Sequence, residues 1–354
     1  MPDLLSQLLE EPESGPPPEL VPSPRRRWIK PVAILAAVIC ILAAPIFYMT
    51  SMPGRSYTGT LPPLTAEQTE IAQILKSRVW YLSETIGERN VFAYAALQNS
   101  ADYIEKSFNQ LGYTVKSQEY VVETRRVRNL IAELPGSSKA SEVVVVGAHY
   151  DTVDACPGAD DNSSGAAALL ELARLLRDAH PARTIRFVAF VNEEPPWFQT
   201  YNMGSVVYAK SVRAKKENVA AAVSIETIGT FSDQPNSQQY PAGFGALYPS
   251  KGNFIVFVGN LGSRSLVRRA IKSFREHASF PSEGSAVPSA VPGAGWSDHW
   301  SFWQQGYPAI MVTDTAQFRN KNYHLPSDRA DTLDYGRMAR VVDGLRNVIA
   351  DLAN

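Results

Sequence analysis

The spacing of apolar positions changes character several times along the chain. An uncharged apolar run extends from Val32 to Met49, close to the roughly 20 residues that a helix needs to cross a bilayer, and it has no polar face at helical spacing. From Thr65 the pattern is globular. Thr65-Ala66-Glu67-Gln68 offers an N-cap with acid in the first turn, and Ile71, Ile74, Leu75 and Val79 recur at helical spacing. A second helical stretch runs from about Phe92 to Leu111 and ends near Gly112.

Beyond it, β-rich and helical runs alternate. The pattern predicts strands near 114–122, 127–134, 143–149, 184–191, 220–226, 253–258 and 308–313, and helices near 164–179, 204–213, 263–276 and 335–352. Val143–Gly147 and Ile185–Val191 are nearly unbroken apolar runs, as expected of strands covered on both faces. The predicted fold class is α/β, a three-layer α/β/α sandwich with a mixed, largely parallel central sheet, preceded by one transmembrane helix.

The flanks of the apolar run shape its reading. Residues 1–24 are rich in Pro, Glu and Ser and too poor in apolar residues to build a core, so they read as a disordered tail. Arg25, Arg26, Arg27 and Lys30 precede the run, with Trp28 at an interfacial position, and only Arg55 follows closely. A membrane span with a cytoplasmic N-terminus and an extracytoplasmic domain follows from that asymmetry, a cleaved signal peptide being the closer competitor. The expected organisation is a tail with basic flank over 1–30, a transmembrane helix over 31–49, a Pro- and Gly-bearing linker over 50–64 and a catalytic domain over 65–354. Bulk composition adds exclusions. With 354 residues, 45% of them hydrophobic, the chain can bury a sizeable core. Its formal net charge of −1 supplies no field that would favour nucleic acid. Of the two cysteines, Cys40 lies in the apolar run and Cys156 in a distant loop, so no disulfide between them is expected.

Chemistry gathers where predicted strands end. His149-Tyr150-Asp151 closes the Val143–Gly147 strand, placing an imidazole beside a carboxylate that can fix its tautomer. Alone, this pair is as consistent with a hydrogen-bonded strand end as with a metal ligand. Asp160 and Asp161 then stand together before the amphipathic run from Ala166 to Leu176, where an N-cap explains one acid but not two whose repulsion a cation relieves. Glu193 and Glu194 follow the Ile185–Val191 strand, and alternation lets one ligate a metal while the other serves as a base. Glu226 ends a fourth apolar strand, and His324 follows the last one. Two imidazoles and several carboxylates exceed what one zinc takes up, and suit two metals sharing a bridging carboxylate.

This ordered set, His-x-Asp, Asp-Asp-x-x-Ser-Gly, Glu-Glu, an acid after a strand and a late His, resembles the di-zinc aminopeptidase family that also holds plasma glutamate carboxypeptidases and animal-type glutaminyl cyclases. The resemblance covers roughly residues 65–354. It implies two Zn²⁺ per chain, one held by His149, Asp161 and Glu226 and the other by Asp161, Glu194 and His324, with Asp161 bridging. It also implies Glu193 as general base, Asp151 as the group orienting His149, and Tyr323 as a hydrogen-bond donor to the oxyanion. Ser297-Asp298-His299-Trp300 resembles the family's Ser-Asp-His segment and supports the site without supplying ligands.

The implied activity is removal of N-terminal residues from peptides or proteins. One departure keeps a second reading open: Pro195–Met203, with Trp197, is inserted before Gly204-Ser205, and a tryptophan-bearing insertion is a feature of the one-zinc glutaminyl cyclases. A carboxypeptidase and an inactive scaffold are the further alternatives.

Overall fold

The computed structural model describes residues 15–16 and 24–354; most of the expected disordered tail lies outside them. The chain divides into two units, one ending at Tyr48 and one running from Met49 to Asn354. Helix α1 (Pro24–Thr50) accounts for nearly all that is described of the first and contains Pro31 and Pro45. Starting at Pro24, it takes in the basic flank that was grouped with the tail. Its stretch from Pro31 to Thr50 is long and apolar enough to cross a membrane.

The second unit is built on eight strands: β1 (Lys116–Val122), β2 (Arg125–Leu134), β3 (Lys139–His149), β4 (Arg183–Phe190), β5 (Asn218–Glu226), β6 (Ile255–Asn260), β7 (Ser282–Val287) and β8 (Ala309–Thr313). They form one sheet in the order β1-β2-β4-β3-β5-β8-β6-β7. The central block β4-β3-β5-β8 is parallel. β2 joins its one side and β6 its other antiparallel, with β7 parallel to β6.

Alternation along β3 separates two cores. Val144, Val146 and Ala148 face a layer of α2 (Ala66–Trp80), α3 (Tyr94–Gln110), α4 (Gly165–Leu176), α6 (Arg264–His277) and α8 (Tyr335–Ala353). Val143 and Val145 face a smaller layer of α5 (Gly204–Ala214) and α7 (His299–Gln304). The expected elements appear within a few residues of their predicted bounds. Thr65 caps α2 through a complete capping box with Gln68. Two elements had no counterpart in the pattern. β7 reads Ser-Glu-Gly-Ser-Ala-Val, with little β propensity, and is stabilised by pairing with β6. α7 is a single short turn-and-a-half of helix.

Segment 51–62 is fastened to the second unit. Arg268 donates to the Ser51 carbonyl, Arg275 to that of Pro53 at 3.0 Å, and Arg340 to that of Pro62.

Candidate metal centre

Parallel strands bring the predicted residues to one edge of the sheet. His149 and Glu226 are the last residues of β3 and β5, and Glu193 and Glu194 come just past β4. Asp161 lies in the helical turn Ala159–Ser164 that enters α4, and His324 in the loop after β8. Three non-glycine residues turn the chain here with positive φ: Asn192 (58°), Thr227 (44°) and His324 (59°). Such conformations persist where surrounding contacts over-determine them. At Thr227 those contacts are an N–H bond to Asn162 Oδ1 at 3.1 Å and a hydroxyl bond to the Glu226 carbonyl at 2.7 Å.

The side chains converge as three overlapping triplets: His149–Asp161–Glu226 and Asp161–Glu194–His324, which share Asp161, and His149–Glu193–Glu194. His149 Nε2 is 3.2 Å from Asp161 Oδ1 and 3.3 Å from Glu226 Oε2. His324 Nε2 is 3.0 Å from Asp161 Oδ2 and 3.3 Å from Glu194 Oε2. Asp161 thus presents one oxygen to each of the two triplets that share it. Glu193 stands further back, its Oε2 3.9 Å from His149 Nε2. Tyr323 stacks on His324, with ring centroids 3.9 Å apart. The pocket over the triplets is lined by Glu193, Glu194, Glu226, Phe198, Trp296, Gln317 and Tyr323.

Behind these residues lies a shell of backbone bonds. Asp151 sits with Oδ1 3.5 Å from His149 Nδ1 and accepts the Glu193 and Glu194 N–H groups, each at 3.1 Å. It therefore holds three site residues, where the sequence suggested one. Asp328 accepts the N–H groups of Asp160 and Asp161. Ser297 donates to Glu226 Oε2 at 2.7 Å. Asp160 turns away from the triplets: it accepts from Gly229 N, Thr230 Oγ1 and Asn320 Nδ2. The adjacent acids therefore divide, one into the centre and one into its frame. Cys156 donates to the Leu325 carbonyl and joins no triplet.

Arg89, which sequence reasoning missed, is fully buried. Its guanidinium donates to the carbonyls of Tyr150, Leu82, Gly87, Pro157 and Gly158 and to Ser163 Oγ. Burial lowers its pKa to about 10, which leaves it charged at neutral pH. It ties the His149 strand end to the loop carrying Asp161. Arg89→Met leaves several carbonyls unpaired at about 1–3 kcal/mol each, so a loss of at least about 3 kcal/mol in urea unfolding is expected, with a lowered metal affinity.

The electrostatics fit cations. Burial raises Glu193 well above the usual carboxylate range, and burial together with Asp161 carries Glu194 up to about 8. Burial alone would lower His324, but Asp161 and Glu194 beside it lift it to about 10. In the absence of a metal, protons supply the positive charge that these packed acids need. His324 Nε2, close to two carboxylates, and the buried Glu194 Oε1 make no hydrogen bond among the described residues. Nitrogen and oxygen donors aimed at shared points, with His149 Nε2 and Glu226 Oε1 in only a long contact of 3.4 Å, suit a metal of zinc's ligand preference.

The profile of Peptidase family M28 matches residues 129–349, well over half of the chain. The chain belongs to peptidase family M28. A relative in Escherichia coli (strain K12), the uncharacterized protein YfbL, is 38% identical over 322 residues, covering 88% of this chain and 96% of the relative. A Trichophyton verrucosum protein named "Probable leucine aminopeptidase" is 29% identical over 313 residues, 82% of this chain and 77% of its own. Among solved structures, a zinc aminopeptidase from Bacillus subtilis matches with TM-score 0.64 at 17% identity, over 78% of this chain and 94% of that one. A Fimbriiglobus ruber glutaminyl cyclase matches with TM-score 0.56 at 22% identity, over 85% and 99%. These two likenesses establish the α/β fold.

The span matched by the M28 profile holds every predicted site residue, whereas Arg89 precedes it. The inserted loop of this M28 chain divides its aromatics. Trp197 packs against the main core, Phe198 lines the pocket, and Tyr201 is 77% exposed.

Proposed function

We propose that the chain is a zinc-dependent aminopeptidase with two zinc ions per chain, held by His149, Asp161 and Glu226 and by Asp161, Glu194 and His324. The observation that carries this reading is the pair of donor triplets sharing Asp161. When bound, the metals supply Lewis acidity to the scissile carbonyl and to the attacking water. Glu193 accepts the water proton at its carboxylate and passes it to the departing amine. Asp151 fixes the His149 ring and the backbone of both glutamates, and Tyr323 donates to the oxyanion.

The name of the Trichophyton verrucosum relative, "Probable leucine aminopeptidase", favours an N-terminal over a C-terminal substrate end. A one-zinc glutaminyl cyclase is the second reading, favoured by the Fimbriiglobus ruber neighbour. Two donor triplets and the core-facing Trp197 weigh against it. The apolar stretch 31–50 serves as a membrane anchor in this proposal, with the N-terminus cytoplasmic and the catalytic unit extracytoplasmic.

Calorimetric titration of the chelator-stripped protein with zinc tests the proposal. About two equivalents are expected, with protons released at pH 7, because Glu194 and His324 are protonated in the apo form and must lose their protons to ligate. The sign follows: affinity weakens as pH falls below about 10, where His324 takes up its proton, and more steeply below about 8, where Glu194 does. One equivalent would favour the cyclase, and none would overturn both readings.

A further inference from the structure

The helical layer of α5 and α7 covers only part of its sheet face. Over β8, β6 and β7 the same face is left to loops, and it floors a half-open chamber with a cavity volume of about 120 Å³. The chamber adjoins the metal centre, since Glu226, Trp296, Gln317 and Tyr323 line both. Its walls include the aromatic residues Tyr240, Phe244, Tyr248, Phe254 and Phe318.

Strand register gives the floor a direction. Glu226 pairs with Thr313, Thr313 with Val256, and Val256 with Glu283. Cross-strand partners point to the same face, so a straight row runs from a carboxylate of the centre to a second carboxylate. Three steps of about 4.8 Å put them roughly 14 Å apart. Glu283 lies 3.8 Å from Arg275 Nη2, but the Arg275 donors go to Ser282 and to the carbonyls of Pro53 and Gly54. Ser56 lies within hydrogen-bonding reach of Glu283. Beside it, on the parallel row, the buried Ser285 hydroxyl lines the chamber, within reach of the Tyr248 hydroxyl.

We infer that this chamber receives the side chain of the substrate's N-terminal residue and selects a long aliphatic stem ending in a cation, lysine or arginine, with Glu283 and Ser285 holding the charged tip. A leucine-sized group fills only the part nearest the centre. A lysine side chain carries its ammonium roughly 6 Å past Cα, a charge-assisted hydrogen bond adds about 3 Å, and the Glu283 side chain, reaching along the row, covers the rest. Aromatic walls stabilise both the stem and the charge that follows it. The inference rests on the aminopeptidase reading for the position of the scissile bond.

The test compares lysyl, norleucyl and leucyl nitroanilides on the full-length, zinc-loaded protein, norleucine matching the lysine stem without its charge. The lysyl substrate is expected to exceed norleucyl by about 10-fold or more in kcat/KM. Glu283→Gln removes that ratio, and Glu283→Leu inverts it, a reversal that misfolding does not produce. A norleucyl preference in the wild type, or a ratio unmoved by either variant, overturns the inference. Calorimetry with lysinamide and norleucinamide on Glu193→Gln protein separates the two levels. Tighter lysinamide binding without turnover by the wild type sinks the aminopeptidase reading and leaves the chamber assignment standing; equal binding sinks the assignment.

Discussion

Replacing Glu193 with Gln is expected to lower kcat by about 10²- to 10⁴-fold while zinc content stays at the wild-type level. Glu193 is buried and lines the pocket, but its oxygen lies 3.9 Å from His149 Nε2, against 3.0–3.3 Å for the carboxylates of Asp161, Glu194 and Glu226. It stands beside the two triplets that share Asp161 rather than within them. Its backbone is fixed by the Asp151 carboxylate, so the isosteric amide keeps its position and loses only its ability to take a proton. KM should change little, because a group that acts on the proton in flight contributes mainly in the transition state. The same side chain also belongs to a third possible grouping, His149–Glu193–Glu194. Loss of zinc together with activity would make Glu193 a ligand and remove it as the base.

Asp161→Asn should have the largest effect on metal. One carboxylate faces both imidazoles, Oδ1 toward His149 and Oδ2 toward His324. The amide supplies one oxygen and no charge, so one triplet loses its Asp161 donor and both lose the shared negative charge. Zinc affinity is expected to fall well beyond the about 10- to 100-fold that loss of an outer partner costs, with activity falling alongside it. Asp151→Asn provides that outer-partner comparison in the same protein. Elemental analysis of the two variants after dialysis reads the difference; retention of two zincs by Asp161→Asn would contradict a bridging role. Zinc should also raise the unfolding temperature of the wild type by mass action and leave that of Asp161→Asn nearly unchanged.

Those two residues were legible in the sequence for different reasons. Glu193 and Glu194 stand where an apolar run stops, and side-chain alternation alone separates a ligand from a base. Asp161 needed its neighbour: the two adjacent acids suggested a cation, and the fold shows that Asp160 instead bonds Gly229, Thr230 and Asn320. Local sequence cannot distinguish the two, because the partners that decide lie about 70 and 160 positions away. Arg89 was hidden for the same reason. It sits in an irregular segment, and its role consists of carbonyls up to 69 positions distant. β7 was missed because Ser-Glu-Gly-Ser carries no β signal, yet it closes the far side of the chamber and contributes Glu283. The Trp197 insertion, which suggested a cyclase, packs its partly buried tryptophan against the core and sends its neighbour Phe198 to the pocket. Periodicity located the frame of the fold; long-range polar bonds decided which acids enter the centre.

The most direct test of a two-zinc aminopeptidase is mass spectrometry of the product formed from a peptide that begins with glutamine. Hydrolysis removes the whole first residue and yields the shortened peptide with free glutamine. Cyclisation expels only ammonia and leaves a full-length peptide with a blocked end. The shortened peptide is the predicted product, and it should be absent with Glu193→Gln. A peptide lighter by ammonia alone, formed by the wild type and not by Glu193→Gln, would contradict the aminopeptidase reading.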